Sequence, residues 1–356
     1  MKKLDKYILK SFIKSFLLGV MAFLIIFILS EMFRIIGYIM DGKLTPIQGF
    51  ILLLNGLPTV MINVIPLGVL LGGLMTVNKM ATNLEIMALK TSGVSFKRII
   101  LAPVILSGLI SIGLLWFNNN VVPNSNKKYR ELKNNEVYNV KESRIKTDVF
   151  MKGQGNYLTY IRLVNGNNIS DSEIVLLDNS FSKIEKIITV KRGKYNIKLK
   201  KWYFSRVKIN DIINNKIETM GFYEPDFFKE TPSDLLRDKV REKEMNISEL
   251  KDAANFIKKT GGDVKKILVA MYKKMAYPFA ALIMSFIGLS LGSRYIRGAS
   301  AVSIGLSVVI GYIYYVVTAT TEALGVGGFL SPMLSGWIPD ILFLVLGISL
   351  VKISEY

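Results

Sequence analysis

The chain has 356 residues, of which 51% are hydrophobic, and a formal net charge of +19. It contains no Cys and no His, which excludes disulfides, thiol nucleophiles, Cys/His zinc sites and imidazole acid–base chemistry. A mean hydropathy of +0.36 is too high for an ordinary soluble protein, so the basic excess points to anionic lipid or glycolipid and away from nucleic acid.

In chain order, six apolar runs are long enough to span a bilayer, which takes roughly 20 residues at about 1.5 Å each. They are Phe16–Met40, Leu54–Val77, Ile99–Phe117, Val269–Leu291, Ala299–Leu324 and Ser331–Val351. The first follows five lysines but is too long for a signal-peptide core and ends in no small-residue cleavage site, so it reads as an uncleaved anchor. The N-terminus, the Lys79–Arg98 loop, the Arg294–Arg297 loop and Lys352 together carry a dozen basic residues, whereas the opposite short loops carry only Lys43. Positive-inside bias then predicts both termini in the cytoplasm and the long segment 118–268 outside.

Pro58, Pro66, Pro103, Pro278 and Pro339 interrupt the runs, and Gly68, Gly72 and Gly73 give the second a small-residue face. Glu31 and Arg34 sit one turn apart in the first run, spaced to pair. Two readings compete there: a pair facing a polar cavity, and a pair snorkelling to the outer interface. Glu322, Asp340, Lys273 and Lys274 lie near run ends, where snorkelling is expected.

Between the second and third runs, the Lys79–Arg98 loop predicts a helix over about 81–93. Thr82 or Asn83 is its expected N-cap, Glu85 falls in the first turn, and Gly93 ends it in a left-handed cap. Leu84, Met87 and Ala88 form one apolar face. Such a helix fits either a lipid-surface element or a docking element pushed by a soluble partner.

The outer segment changes to β-type alternation, with seven short runs from Thr147 to Phe222 and turn signals at Asn165–Asn168 and Arg192-Gly193. Tyr195, Ile197 and Leu199 alternate with Asn196, Lys198 and Lys200 as in a half-buried strand. A small sandwich or rolled sheet follows from this pattern. A charged linker, Asp226–Met245, leads to a helix over Ser248–Thr260, with Ser248 as N-cap and Gly261-Gly262 as the stop. The fold class is thus a polytopic α-helical membrane protein with six transmembrane helices and an inserted all-β, jellyroll-like extracytoplasmic domain. Its expected parts are 1–120, with the docking helix, then 121–225 (β), 226–268 (linker and amphipathic helix) and 269–356.

Motifs for chemistry are missing. There is no phosphate-binding loop of the G-x-x-x-x-G-K-[ST] type, no G-x-S-x-G and no carboxylate cluster suited to a metal, so no cofactor and no enzyme activity of its own are expected.

Several stretches together resemble the LptF/LptG (YjgP/YjgQ) family of lipopolysaccharide-export permeases. They are Leu4-Asp5-Lys6-Tyr7, Ile65-Pro66-Leu67-Gly68-Val69-Leu70-Leu71-Gly72, Asn83-x-Glu85-Ile86-x-Ala88-Leu89-Lys90-x-Ser92-Gly93, Val121-Val122-Pro123 and Lys273-Lys274-Met275-Ala276-Tyr277-Pro278. Their order, with a β-rich insert between the third and fourth spans, covers nearly the whole chain. The resemblance implies one half of an ABC-type exporter in the bacterial inner membrane. It would pair with a paralogous permease or a second copy and be driven by a cytoplasmic LptB-like ATPase dimer. Lipopolysaccharide would leave the outer leaflet through gates formed by the first and fifth helices and pass along the β-domain to LptC/LptA-like bridge proteins. Asn83, Glu85, Ile86, Met87, Leu89, Lys90 and Gly93 would couple to the ATPase, while Arg34, with Glu31 and Lys43, would meet the lipid head group. Leu84 departs from the small polar residue usual there, and Lys90 replaces an Arg. The competing reading is a mechanotransmitting partner of an ABC ATPase that moves no lipid itself. A basic-rimmed, lipid-sized cavity would separate the two.

Overall fold

The computed structural model describes residues 3–137, 145–153, 156–178, 183–197, 199–236, 241–259, 262–293 and 299–355. The Arg294–Arg297 loop, Lys198, Gly261 and part of the charged linker lie outside these residues. The chain divides into two compact units, one of Met1–Asn139, Glu242–Lys251 and Lys265–Tyr356, the other of Val140–Arg241 and Asp252–Val264.

The first unit is helical and, among the described residues, contains six helices long and apolar enough to cross a membrane. They are α1 (Lys3–Met40), α2 (Pro46–Thr82), α4 (Phe96–Asn120), α8 (Lys265–Ala276) continuing into α9 (Ala280–Gly292), α10 (Ala299–Gly327) and α11 (Pro332–Glu355). Two shorter helices, α3 (Glu85–Thr91) and α5 (Val122–Leu132), flank α4. Of the prolines, only Pro278 breaks its span, through a tighter turn at Tyr277–Phe279, whereas Pro58, Pro66, Pro103 and Pro339 lie inside continuous helices.

Helix α2 is the centre of this unit. In a bilayer, lipid tails compete equally for apolar side chains, so helices associate where small residues let backbones approach. The three α2 glycines do not form one face. Gly68 and Gly72 receive α1: a Cβ on Gly72 would lie 2.9 Å from the Phe16 backbone, and one on Gly68 would strike Val20. Gly73 instead receives α9, 3.0 Å from the Leu289 nitrogen, and Gly288 of α9 lies directly against the Leu70 carbonyl. Side chains of Ile8, Phe12, Val69, Val77, Phe96 and Leu289 fill the space around these crossings.

Two polar groups depart from the expected snorkelling. Asp340 is only 4% exposed and accepts the Tyr314 hydroxyl at 2.6 Å. Lys274 is buried and donates to the Met245 carbonyl at 2.7 Å. Burial in both cases comes from neighbouring helices, which run-end position does not reveal. Lys273 and Glu322 pair with each other at 2.5 Å and stay part-exposed.

The second unit is an antiparallel sheet of six strands in chain order, not the seven expected: β1 (Ile145–Lys152), β2 (Tyr157–Asn165), β3 (Asn168–Leu177), β4 (Ile184–Asn196), β5 (Lys201–Asp211) and β6 (Lys216–Tyr223). Two expected runs merge into β4 because Arg192-Gly193 is no turn. Gly193 sits mid-strand, where a Cβ would lie 2.6 Å from Ile169 and 2.9 Å from the Phe204 ring, so the absent side chain admits its neighbours'. Of the expected alternation, Ile197 and Leu199 are exposed beyond the strand's end. One face of the sheet buries Tyr157, Ile161, Ile174, Ile188, Trp202 and Phe204 against Phe228 and Leu235. Leu235 belongs to α6 (Pro232–Leu236).

A line crosses this sheet from edge to edge. Asp148, Asp171 and Arg206 have left-handed φ values of 55°, 49° and 55°. Strand register places Asp148 opposite Arg162, Arg162 opposite Asp171, Asp171 opposite Lys191, and Lys191 opposite Arg206. The ladder skips one residue per strand along this row, which creases the sheet without shifting register. Asp171 pairs with Arg162 at 3.4 Å and Lys191 at 3.2 Å along the crease. Finally, α7 (Ile247–Lys259) starts one residue before the expected Ser248 boundary. Its cap is Asn246, which exchanges 2.8 Å side-chain-to-backbone bonds with Glu249.

The α2–α9 crossing yields a direct prediction. Gly288→Val forces a side chain into the Leu70 carbonyl and should destabilise the purified protein by about 1–3 kcal/mol. Gly113→Ala, with open space around its Cβ position, should cost nothing. Thermal unfolding followed by size-exclusion fluorescence distinguishes the two.

Candidate functional site

Two polar centres stand out in the helical unit, one at each end of α1. At the far end, the three-residue spacing of Glu31 and Arg34 puts both on one face, and Arg34 Nη2 pairs with the Glu31 carboxylate. The second partner comes from α5: Arg34 donates to the Tyr129 hydroxyl at 2.7 Å, and that hydroxyl donates to Glu31 Oε1 at 2.7 Å. Burial, followed by the adjacent Glu31 carboxylate, raises the Tyr129 phenol well above its ordinary range, so it remains a neutral donor at all physiological pH.

This triad lines a cleft of about 390 Å³. One wall is apolar, built from Ile28 of α1 with Leu53, Leu57 and Val60 of α2. The other is polar. Thr59 donates to Asn126 Oδ1 at 2.6 Å, Asn126 donates to the Lys243 carbonyl at 2.9 Å, and Arg130 Nε bonds Glu244 at 2.7 Å. The Arg34 side chain keeps 47% of its surface exposed although paired, against 21% for Glu31. A cation so placed, beside aliphatic walls, can exchange its internal carboxylate for an external anion carrying an apolar tail. Glu31 and Arg34 are thus bonded to each other and both line the cleft. Lys43 is not part of the cleft lining; it pairs with Asp41 at 2.9 Å in the α1–α2 loop.

Sequence reasoning does not single out Asn126, Tyr129, Arg130 or Lys243, because 121–132 falls in the expected β-part and Lys243 in the charged linker. The available signal was Pro123 at a helix start followed by polar residues at helical spacing.

At the near end, α3 is shorter than the expected 81–93. Helix α2 runs unbroken to Thr82, Asn83 is its C-cap, and the N-cap of α3 is Leu84, with φ 59° and no side-chain cap bond. The expected Thr82 or Asn83 cap therefore does not form. Its other end is as read: Gly93 has φ 80°, Gly93 N–H bonds Lys90 O and Val94 N–H bonds Leu89 O, both at 3.0 Å, a Schellman ending. The expected apolar face, Leu84, Met87 and Ala88, is exposed, and a different pair faces the core. Ile86 is buried and Leu89 packs partly against the same core, while Leu84 and Met87 are 62% and 65% exposed. Glu85 accepts the Tyr7 hydroxyl at 3.0 Å and the Asn83 amide at 3.1 Å. Lys90 donates to the carbonyls of Ser354 and Glu355 at 2.7 and 3.1 Å, capping the end of α11. A rigid, short helix with an acidic tip and two exposed apolar side chains is suited to seating in a protein groove.

Freeing Arg34 tests the cleft chemistry. Glu31→Gln should raise the affinity of the purified protein for a short-chain anionic lipid several-fold over its zwitterionic counterpart, as measured by fluorescent-lipid titration; equal gains for both head groups would contradict the exchange.

A family model described as lipopolysaccharide export system permease LptF/LptG matches residues 6–352. The chain is 22% identical over 283 residues to the lipopolysaccharide export system permease protein LptG of Haemophilus influenzae, covering 79% of each chain. It is also 22% identical over 294 residues to the protein of that name from Escherichia coli K12, covering 80% of each.

Proposed function

The chain belongs to the LptF/LptG family of lipopolysaccharide export permeases, and from that premise we propose that it is one permease half of an ABC-type exporter. In this reading it extracts lipopolysaccharide from the outer leaflet of the inner membrane. A second, paralogous permease completes the pathway, and a cytoplasmic LptB-like ATPase dimer drives it. The β-sheet unit, on the periplasmic side, hands the lipid to LptC/LptA-like bridge proteins.

The observation that carries the reading is the amphipathic cleft: a half-exposed Arg34 facing aliphatic walls of α1 and α2. Burying acyl chains along such walls contributes about 0.8 kcal/mol per CH₂, and a guanidinium takes a phosphate in a bidentate fork. Lys243 adds positive charge at the same rim, where Arg130 is paired with Glu244. A mechanotransmitting membrane partner needs no such cleft, which favours export over that rival. Lys43 is assigned a peripheral contact with the head group, from the loop next to α1.

Positive-inside bias supports a cytoplasmic location for the end that carries α3. There Glu85, Met87 and the neighbouring Asn83 would contact the ATPase, while Ile86, Leu89, Lys90 and Gly93 fix the helix on its own bundle. Glu85→Arg should abolish lipopolysaccharide export and reduce ATPase co-purification by about tenfold or more while leaving thermal stability nearly unchanged, since loss of a desolvated charged contact typically costs 2 kcal/mol or more. Normal co-purification with normal export would reject the docking role. Arg34→Glu should reduce photocrosslinking of lipopolysaccharide near α1 several-fold without changing co-purification; undiminished crosslinking would reject the head-group role.

A further inference from the structure

The crease across the β-sheet takes no part in the cleft or in α3. It opens on the face away from the core: Val149, Ile161 and Val190 beside it are buried, whereas Asp148, Arg162, Lys191 and Arg206 are exposed. At its β1–β3 end it deepens into a groove of about 340 Å³, lined by Thr147, Asp148, Arg162, Ser170 and Asp171. Each of these carries a hydroxyl, a carboxylate or a guanidinium, so the groove can both donate and accept hydrogen bonds.

An aromatic pair stands next to the groove. Strand register puts Phe150 opposite Tyr160, and their ring centroids are 5.6 Å apart. Both rings lie on the crease side of the sheet, since each follows or precedes a residue buried on the other side, Val149 or Ile161. Phe150 is 74% exposed, so most of its ring is free to meet a ligand. The Tyr160 hydroxyl donates to Asp148 Oδ1 at 2.7 Å, which fixes that carboxylate between the rings and the groove.

The charges along the crease do not balance. Arg162 and Lys191 share the one carboxylate of Asp171. Arg206 lies opposite Lys191 and, among the described residues, makes no ion pair or side-chain hydrogen bond. On its other side the register places Gly221 of β6, where a Cβ would meet nothing within 4 Å. Like charges directly opposite on neighbouring strands destabilise a sheet. An anion from outside would satisfy Lys191 and Arg206 together.

We propose that the crease is a saccharide-binding groove that takes the phosphorylated sugar portion of the exported glycolipid. Phe150 and Tyr160 stack on the C–H face of one sugar ring, while Thr147, Asp148, Ser170 and Asp171 bond its hydroxyls. Arg206, with Lys191, takes a phosphate on a neighbouring sugar. An acyl chain would gain nothing from such a polar lining, whereas a sugar ring presents an apolar face and a rim of hydroxyls, the two surfaces found here side by side. The inference deepens the proposed function and rests on it: the cleft holds the lipid end, and the crease holds the sugar end.

The test uses the soluble saccharide released from lipopolysaccharide by deacylation, which lacks the chains that the cleft would bury. It is titrated calorimetrically against the full chain in zwitterionic nanodiscs, as wild type, Phe150→Ser, Arg206→Asn and Ile213→Ser. Asn tolerates the left-handed backbone at 206, and Ile213, 68% exposed in the β5–β6 turn, is the control. Wild type and Ile213→Ser should bind equally, and Phe150→Ser and Arg206→Asn about fivefold or more weakly, with thermal stability unchanged in all. Enzymatic removal of the phosphates should weaken wild-type binding and abolish the difference between wild type and Arg206→Asn. No saturable binding to wild type, equal binding by both crease variants, or equal binding of the dephosphorylated saccharide would each overturn the assignment. The exporter reading fails separately, if lipopolysaccharide does not crosslink near α1 in the wild type.

Discussion

The approach of α1 and α9 to α2 at glycine is the contact on which the helical unit depends. Water offers no hydrophobic gain for bringing two helices together inside a bilayer, so what holds them is close van der Waals packing over a backbone with no side chain in the way. Helix α2 has such surfaces on two flanks: Gly68 and Gly72 toward α1, and Gly73 with Leu70 toward Gly288 of α9. The two flanks differ in what else accompanies the contact. Helix α9 is largely buried among α2, α4 and α11, whereas α1 packs on α2 along its length, with Phe23 in one cluster with Val64 and Leu71 and Ile35 in another with Leu52, and leaves its other flank exposed.

Polar groups in this apolar unit follow the same economy. Five of the charged ones carry a partner from another element: Glu31 and Arg34 from Tyr129, Asp340 from Tyr314, Lys274 from Met245, Asp5 from Arg98. Removing a charge from water is costly unless it is paired and hydrogen-bonded, so these partners are required for the helices to assemble at all. The Arg34 group differs from the others in its exposure. Its pair faces a cleft, and an internal ion pair at a cleft wall holds a cation ready without leaving it unsolvated.

Much of the architecture was legible in the chain. Six apolar runs and a β-alternating insert follow from hydropathy and two-residue periodicity, and Gly93 announced the end of α3. What remained hidden was tertiary in origin. Asp340 and Tyr129 look peripheral along the chain and acquire meaning only when another helix brings a partner. Gly193 carries the same letter as a turn glycine but serves to admit Ile169 and Phe204. Leu84 adopts a left-handed backbone that Leu disfavours, so no capping rule could place the start of α3 there. The crease through Asp148, Asp171 and Arg206 depends on register across all six strands, which a single sequence does not state.

The central claim is that the cleft between α1, α2 and α5 holds an anionic glycolipid by its head group at Arg34 and its chains along Leu57. A photoreactive amino acid placed at Leu57, in the full chain expressed in living cells, tests this most directly. Irradiation should trap lipopolysaccharide at that position, with the adduct accumulating when ATP is depleted and declining when export runs. Adducts with ordinary phospholipid alone, or none at all, would contradict the account.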